Sequence, residues 1–266
     1  MTDLSALIDT GRHPLADGDW LAAKKEELAT NGAVQMHGFL TADALAQLQT
    51  EAAAGAEQAY FKPQTHNIYL DKGDETFAPD HIRNRRLISS KGCITDDQIA
   101  DDSVLKEIYH HPTFIAALCF ILGEEALYPY ADSLSSVNIH YARKGEELNW
   151  HFDNSSFAVT LLIQPARSGG AFEYVRDVRD ADKGEMGYDT AEAVIDGRHH
   201  TDSLRLAAGD LLLFRGRNSL HRVTPVTDDS VRHLAVLAYN SQPGISLSET
   251  AQMTFYGRVG HITEAG

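Results

Sequence analysis

From Ser133 to Tyr239 the chain is written as short apolar runs separated by turn residues, and that pattern leaves few architectures open. The runs are Ser136–Tyr141, Trp150–Asp153, Ala158–Gln164, Ala171–Val175, Ser203–Leu206, Leu211–Phe214, Ser219–Val223 and Arg232–Tyr239. Each has the length and composition of a strand. About eight such strands with turns between them must bury one face and protect their edges, and a jelly-roll barrel of two sheets does both.

The residues before this region read differently. Gly18–Thr30 suits an amphipathic helix closed by Asn31-Gly32, and Ala33–Leu40 alternates like a strand with a structural His37. Thr41 caps an Ala-rich helix running to about Tyr60, and Ser103–His110 and Pro112–Leu122 read as two more helices. Residues 61–102 show little periodicity and many Gly, Pro, Asp and Asn, as expected of a lid or a wall of an active site. The expected fold class is therefore α+β: a double-stranded β-helix (jelly-roll, cupin-like) core with N-terminal helices packed on one sheet. One domain spans 1–266, with a mainly helical elaboration and lid at 1–132, the core at 133–241 and a C-terminal segment at 242–266.

Within the core, His151 and Asp153 are two residues apart, so on a strand both point to one face. His221, 70 residues further on, would complete a 2-His-1-carboxylate triad, which holds Fe(II) on one face and leaves the opposite positions open. Arg232 follows 11 residues later, where the next antiparallel strand would return a guanidinium to the metal to hold a dicarboxylate. A His-x-Asp tripeptide in a chain with 13 His is weak by itself, and His200-Thr201-Asp202 repeats it. Only 21 residues separate His200 from His221, too few to lay down the intervening strands, so that copy is read as loop.

The order His-x-Asp, Gly209-Asp210 before Leu211–Phe214, His221-Arg222-Val223-Thr224-Pro225-Val226 and then Arg232 resembles the Fe(II)/2-oxoglutarate-dependent dioxygenases over about residues 133–241. A narrower set looks like the group of radical halogenases and hydroxylases of free amino acids: Arg83–Arg86, Ser89–Thr95, Tyr128–Asp132, Gly169–Val175 and Phe255–Arg258. The resemblance implies Fe(II), 2-oxoglutarate and O2 as cofactor and cosubstrates, with His151, Asp153 and His221 as metal ligands and catalytic residues and Arg232 on the far carboxylate of 2-oxoglutarate. Tyr141 could donate a hydrogen bond to the same cosubstrate or pack in the core; the two readings stay open. Halogenases of that group carry a small residue where this chain has Asp153. A carboxylate fills the position that chloride needs, so hydroxylation is expected.

For the substrate, the narrower resemblance points to Asn154, Asp132, Arg86, Tyr174, Tyr256 and Arg258. Asp132 could pair with an ammonium and Arg86 with a carboxylate, a combination that suits a free amino acid. Two other classes stay open: an oxygenase acting on protein or peptide side chains, and a metal-binding shell without activity.

Composition bounds the rest. With 266 residues and 43% apolar composition the chain can build a sizeable core. A formal charge of −15 argues against nucleic acid as a partner. Two cysteines give no disulfide framework, Met1–Trp20 lacks a signal-peptide pattern, and the longest apolar run, Phe114–Leu122, is far short of the roughly 20 residues that span a bilayer. A cytoplasmic enzyme without a membrane partner is expected. Oligomeric state stays open, a homodimer included.

Overall fold

The computed structural model describes residues 3–263, so the outermost ends of the expected single domain lie outside the described residues. The chain opens with α1 (Leu4–Leu7) and α2 (Gly18–Asn31), then β1 (Ala33–Met36) and α3 (Ala42–Gly55). Asp17 and Thr41 cap α2 and α3 by accepting from Trp20 and Ala44 backbone N–H groups, and Gly32 ends α2 in the left-handed conformation. The next stretch holds β2 (Tyr60–Phe61), β3 (Gln64–His66), β4 (Leu87–Ser89) and β5 (Gly92–Ile94). Two helices follow, α4 (Val104–Tyr109) and α5 (Pro112–Leu122).

The core strands are β6 (Val137–Ala142), β7 (Leu148–His151), β8 (Ala158–Gln164) and β9 (Phe172–Val175), then, after α6 (Tyr188–Ile195), β10 (Asp202–Leu204), β11 (Leu211–Phe214), β12 (Leu220–Val223) and β13 (Arg232–Leu237). A final helix, α7 (Glu249–Tyr256), completes the described elements. The eight expected core strands divide four and four: β11-β8-β13-β6 in one sheet and β10-β9-β12-β7 in the other. The first sheet grows to seven strands by adding β1 at one edge and β5 and β2 at the other, while β3 and β4 pair separately. All the strand pairs are antiparallel.

Strand alternation sorts the large sheet into two faces. Val137, Ile139 and Tyr141 of β6, Val159, Leu161 and Ile163 of β8, and Leu211 and Leu213 of β11 join the buried cluster built with Leu28, Leu48, Leu105, Phe114 and Leu118 of the helices. The helices therefore cover one face of the large sheet. The opposite face, with His140, Thr160, Leu212 and Arg232, looks across to the small sheet and lines a cavity. Burying side chains of this size contributes about 1.5–3 kcal/mol each, so the helical layer anchors the sheet that forms the cavity floor.

Two junctions tie the layers. Asp210, 1% exposed, accepts from the backbone N–H of Gly38 and Ala207 at 2.8 Å each, from Gln35 Nε2 at 2.9 Å and from His37 Nδ1 at 3.1 Å. His37 therefore has a carboxylate neighbour that the local sequence did not suggest. At the far side, α7 lies over the cavity mouth, where Thr250, Thr254 and Phe255 join the lining and Gln64 donates to the Thr254 carbonyl. Among the described residues no helix is long and apolar enough to cross a membrane.

Candidate active site

β7 ends at His151, and β12 places His221 directly opposite it, with the ring centroids 4.2 Å apart. Asp153 lies just beyond the end of β7 rather than on the strand, held by its own N–H donating to the Gly216 carbonyl at 3.1 Å. Its Oδ1 is 3.7 Å from His151 Nε2 and 3.5 Å from His221 Nε2, and one ligand atom from each of the three residues falls within 4.8 Å of the others.

The rings are oriented from behind. His151 Nδ1 donates to the Asn149 carbonyl at 2.8 Å and His221 Nδ1 to the Ser219 carbonyl at 3.0 Å. A carbonyl can only accept, so each Nδ1 carries the proton and each Nε2 offers a lone pair to the cavity. Burial, and then neighbouring His221, hold His151 down to about 3, so the imidazole is neutral. Burial pushes Asp153 up, but the contacts with His221 and His151 prevail and its carboxyl stays below the ordinary value. Asp153 Oδ2 is buried without a hydrogen-bond partner. Two imidazoles with Nε2 turned toward Asp153, and a carboxylate with an orphaned oxygen, form a donor set that fits Fe(II) on one face.

The trio sits in a cavity of about 620 Å³. Leu148, Phe172, Leu212, Phe214, Val223 and Leu234 make much of its wall apolar. Arg232 enters from β13, 6% exposed, and no side chain among the described residues pairs with it. Burial alone pulls its guanidinium down to about 10. Gly170, at φ +65°, makes room for it, since a Cβ there would come within 2.9 Å of Arg232 Cδ. A buried cation with no counter-ion is costly, and the far carboxylate of a 2-oxo dicarboxylate would supply one.

The other residues singled out from the sequence lie as follows. Arg86 lines the cavity and is exposed at its rim, whereas Arg83 is tied to Asp71 and Arg85 to Asp196 and Glu192. Tyr141 is corrected: strand alternation turns it with Val137 and Ile139 toward the helices, where its hydroxyl donates to the Ala52 carbonyl at 2.8 Å. Asp132 is also outside the cavity lining. Its carboxylate, 2% exposed, accepts from Leu134 N, Ser135 Oγ and Leu247 N, fastening the C-terminal segment away from any substrate ammonium.

Tyr256 donates to Asn138 Oδ1 under α7, and Arg258 pairs with Asp97 and Thr95. Both fix the C-terminal segment rather than face the cavity. Tyr174 is buried in a small cluster with Ala33, Leu212 and Phe214, and Asn154 is exposed, with its backbone carbonyl bound by Arg217. The second His-x-Asp copy is surface, with 88% and 61% of the His200 and Asp202 side chains exposed.

Sequence reasoning missed Lys91, His140 and His66, all of which line the cavity. The signal for His140 was present. Val137, Ile139 and Tyr141 form the apolar set of β6, so the polar member between them belongs on the other face. Lys91 and His66 lie in the aperiodic stretch 61–102, where no such pattern exists.

The fold is the double-stranded β-helix of 2-oxoglutarate/Fe(II) oxygenases, and the site is a 2-His-1-carboxylate donor set. Solved structures similar to this chain include a 2OG-Fe(II) oxygenase family oxidoreductase from Burkholderia pseudomallei (15% identity, TM-score 0.54, covering 87% of this chain and 94% of that one). They also include the non-heme α-ketoglutarate-dependent epimerase SnoN of nogalamycin biosynthesis (16% identity, TM-score 0.58, 84% of each chain). HygX from Streptomyces hygroscopicus, with nickel, 2-oxoglutarate and hygromycin B bound, is a third (14% identity, TM-score 0.56, 91% and 97%). No curated protein matches the sequence. The chain belongs to the family described as Halogenase D, whose profile matches residues 16–255.

Proposed function

We propose that this protein is an Fe(II)- and 2-oxoglutarate-dependent oxygenase that hydroxylates an unactivated C–H bond of a small molecule, a free amino acid or a derivative of one, releasing succinate and CO2. The observation that carries the reading is the convergence of His151, Asp153 and His221 at the base of a largely apolar cavity. When bound there, iron with 2-oxoglutarate supplies the activation of O2 and the oxidising power for the C–H bond.

The protein's own residues do the positioning. The Asn149 and Ser219 carbonyls hold the two imidazoles in the tautomer that presents Nε2. Arg232 neutralises the far carboxylate of 2-oxoglutarate and fixes which way it lies. The apolar walls exclude water, and Arg86 at the rim is available to a substrate carboxylate. The free thiols of Cys93 and Cys119 suit a reducing, cytoplasmic setting.

Family membership favours one second reading, halogen transfer. Asp153 weighs against it, because a third protein ligand takes the position a halide would need. The test is anaerobic titration with Fe(II) and 2-oxoglutarate, then oxygen and an amino-acid panel in chloride, read by mass spectrometry. Products that gain one oxygen atom, with matching succinate, support hydroxylation. Chlorinated products would establish the second reading, and turnover confined to peptides or proteins would reject a small-molecule substrate.

A further inference from the structure

The cavity carries a charge pattern opposite to that of the chain around it. The formal charge of the protein is −15, yet among the described residues five cations, Lys62, Lys72, Arg86, Lys91 and Arg232, share the cavity lining with only two carboxylates, Asp71 and Asp153. Neither carboxylate is free. Asp71 accepts both arms of the Arg83 guanidinium at 2.7 and 2.8 Å, and Asp153 belongs to the metal-ligating trio. Asp132, the one carboxylate that the sequence offered to an ammonium, is buried outside the cavity and engaged with the C-terminal segment.

Lys91 is the inner cation that the oxygenase reading leaves unused. Its Nζ lies 2.8 and 2.7 Å from the two ring nitrogens of His140, and no carboxylate among the described residues pairs with it. Burial, then Lys91 and Arg232, hold His140 well below its ordinary pKa, so the ring is neutral and is not a counter-ion. Gly92 pairs with Tyr141 and Arg232 with Ala142. Lys91 directly precedes Gly92, and Tyr141 and Ala142 are neighbours on β6, so the two cations enter the cavity near the same end of that strand. They are two anchoring points, and the cosubstrate needs one. An ammonium beside a neutral ring in a largely apolar cavity still lacks an anion among the described residues.

We infer that the substrate is a net anion whose carboxylate is taken by Lys91, with Arg86 at the rim, and that cationic amino acids are discriminated against. This rests on the oxygenase reading and names the substrate class for the same site. Among the described residues the cavity has no free carboxylate to receive a side-chain ammonium, so a basic amino acid would bury its charge against like charges.

The test is a charge series on one carbon length: L-lysine, L-norleucine, L-2-aminoadipate and adipate, titrated anaerobically into the Fe(II)·2-oxoglutarate holoenzyme. Expected is binding of 2-aminoadipate or adipate about tenfold or more tighter than norleucine, with lysine weakest. Lys91→Met should erase that order while 2-oxoglutarate affinity stays, and Lys91→Arg should keep it. Tightest binding by lysine, equal affinities, or no binding by any of the four overturns the inference. Loss of 2-oxoglutarate affinity in Lys91→Met also overturns it, by giving Lys91 to the cosubstrate. Failure of Fe(II) and 2-oxoglutarate to bind is read before any analogue is added. That result would remove the oxygenase reading and this inference with it.

Discussion

Gly216 lies against the carboxylate of Asp153 so closely that a Cβ on it would collide with Oδ2 and stand 2.6 Å from Cγ. The same glycine accepts the Asp153 N–H through its carbonyl. The third candidate ligand therefore depends on a missing side chain in the turn between β11 and β12. In Gly216→Ala the carboxylate must move, and Fe(II) affinity is expected to fall about 10–100-fold, the range seen when groups supporting a metal ligand are altered. Anaerobic titration reads this beside a thermal melt of the apo protein. Unchanged affinity would remove Asp153 from the ligand set.

Arg232 is buried without a counter-ion among the described residues, so its removal should affect ligand and fold differently. Arg232→Met is expected to weaken 2-oxoglutarate binding by about 2–5 kcal/mol, the cost of truncating one partner of a buried charge pair. The apo protein should melt no lower, because an uncompensated charge is replaced by an apolar side chain. Calorimetry and differential scanning test the two halves separately, and a variant that unfolds would make Arg232 a structural residue.

Burial lowers Lys91 to about 8. Its charge is present below that value and is lost as pH rises through it. His140 titrates far lower, and burial pushes the nearby Cys93 thiol up to about 11, so neither changes charge in that window. The affinity for adipate is expected to decline as pH rises through about 8, and Lys91→Arg should flatten the profile. Affinities measured from pH 6.5 to 9.5 decide it, in steps of about half a unit on either side of that midpoint.

Burial raises Asp210, but the backbone N–H of Ala207 and Gly38 and the side chains of Gln35 and His37 outweigh it, and the pKa ends below the ordinary value. A depressed carboxyl adds stability that is present above the unfolded pKa and lost as pH falls through the folded one. Asp210→Asn is expected to cost about 1.5–3 kcal/mol at neutral pH, and the gap to the unaltered protein should narrow in acid. Urea melts at pH 7 and below pH 4 measure both, and a gap that does not change with pH would contradict the assignment.

The core was legible because each of its strands is covered differently on its two faces. Alternation exposes such strands in the sequence, and all eight expected runs overlap strands β6–β13. The spacing of His151, Asp153 and His221 was readable because those strands bring them to one end of the small sheet. The strands β2 to β5 were not readable. They are two or three residues long, and β5 acquires its partner from β6, far along the chain. The helices α6 and α7 were missed too. The proposed substrate residues divide along the same line. Asp132, Tyr256 and Arg258 are polar groups in short motifs, and the fold spends them on fastening the C-terminal segment.

That fastening also bears on how the site is enclosed. The reaction chamber takes its floor from the middle of the chain, one wall from residues 60–93 and part of its roof from Thr250, Thr254 and Phe255. Closure of the cavity over the three donors is therefore completed by the last helix of the chain, α7, and not by the sheets that carry the donors.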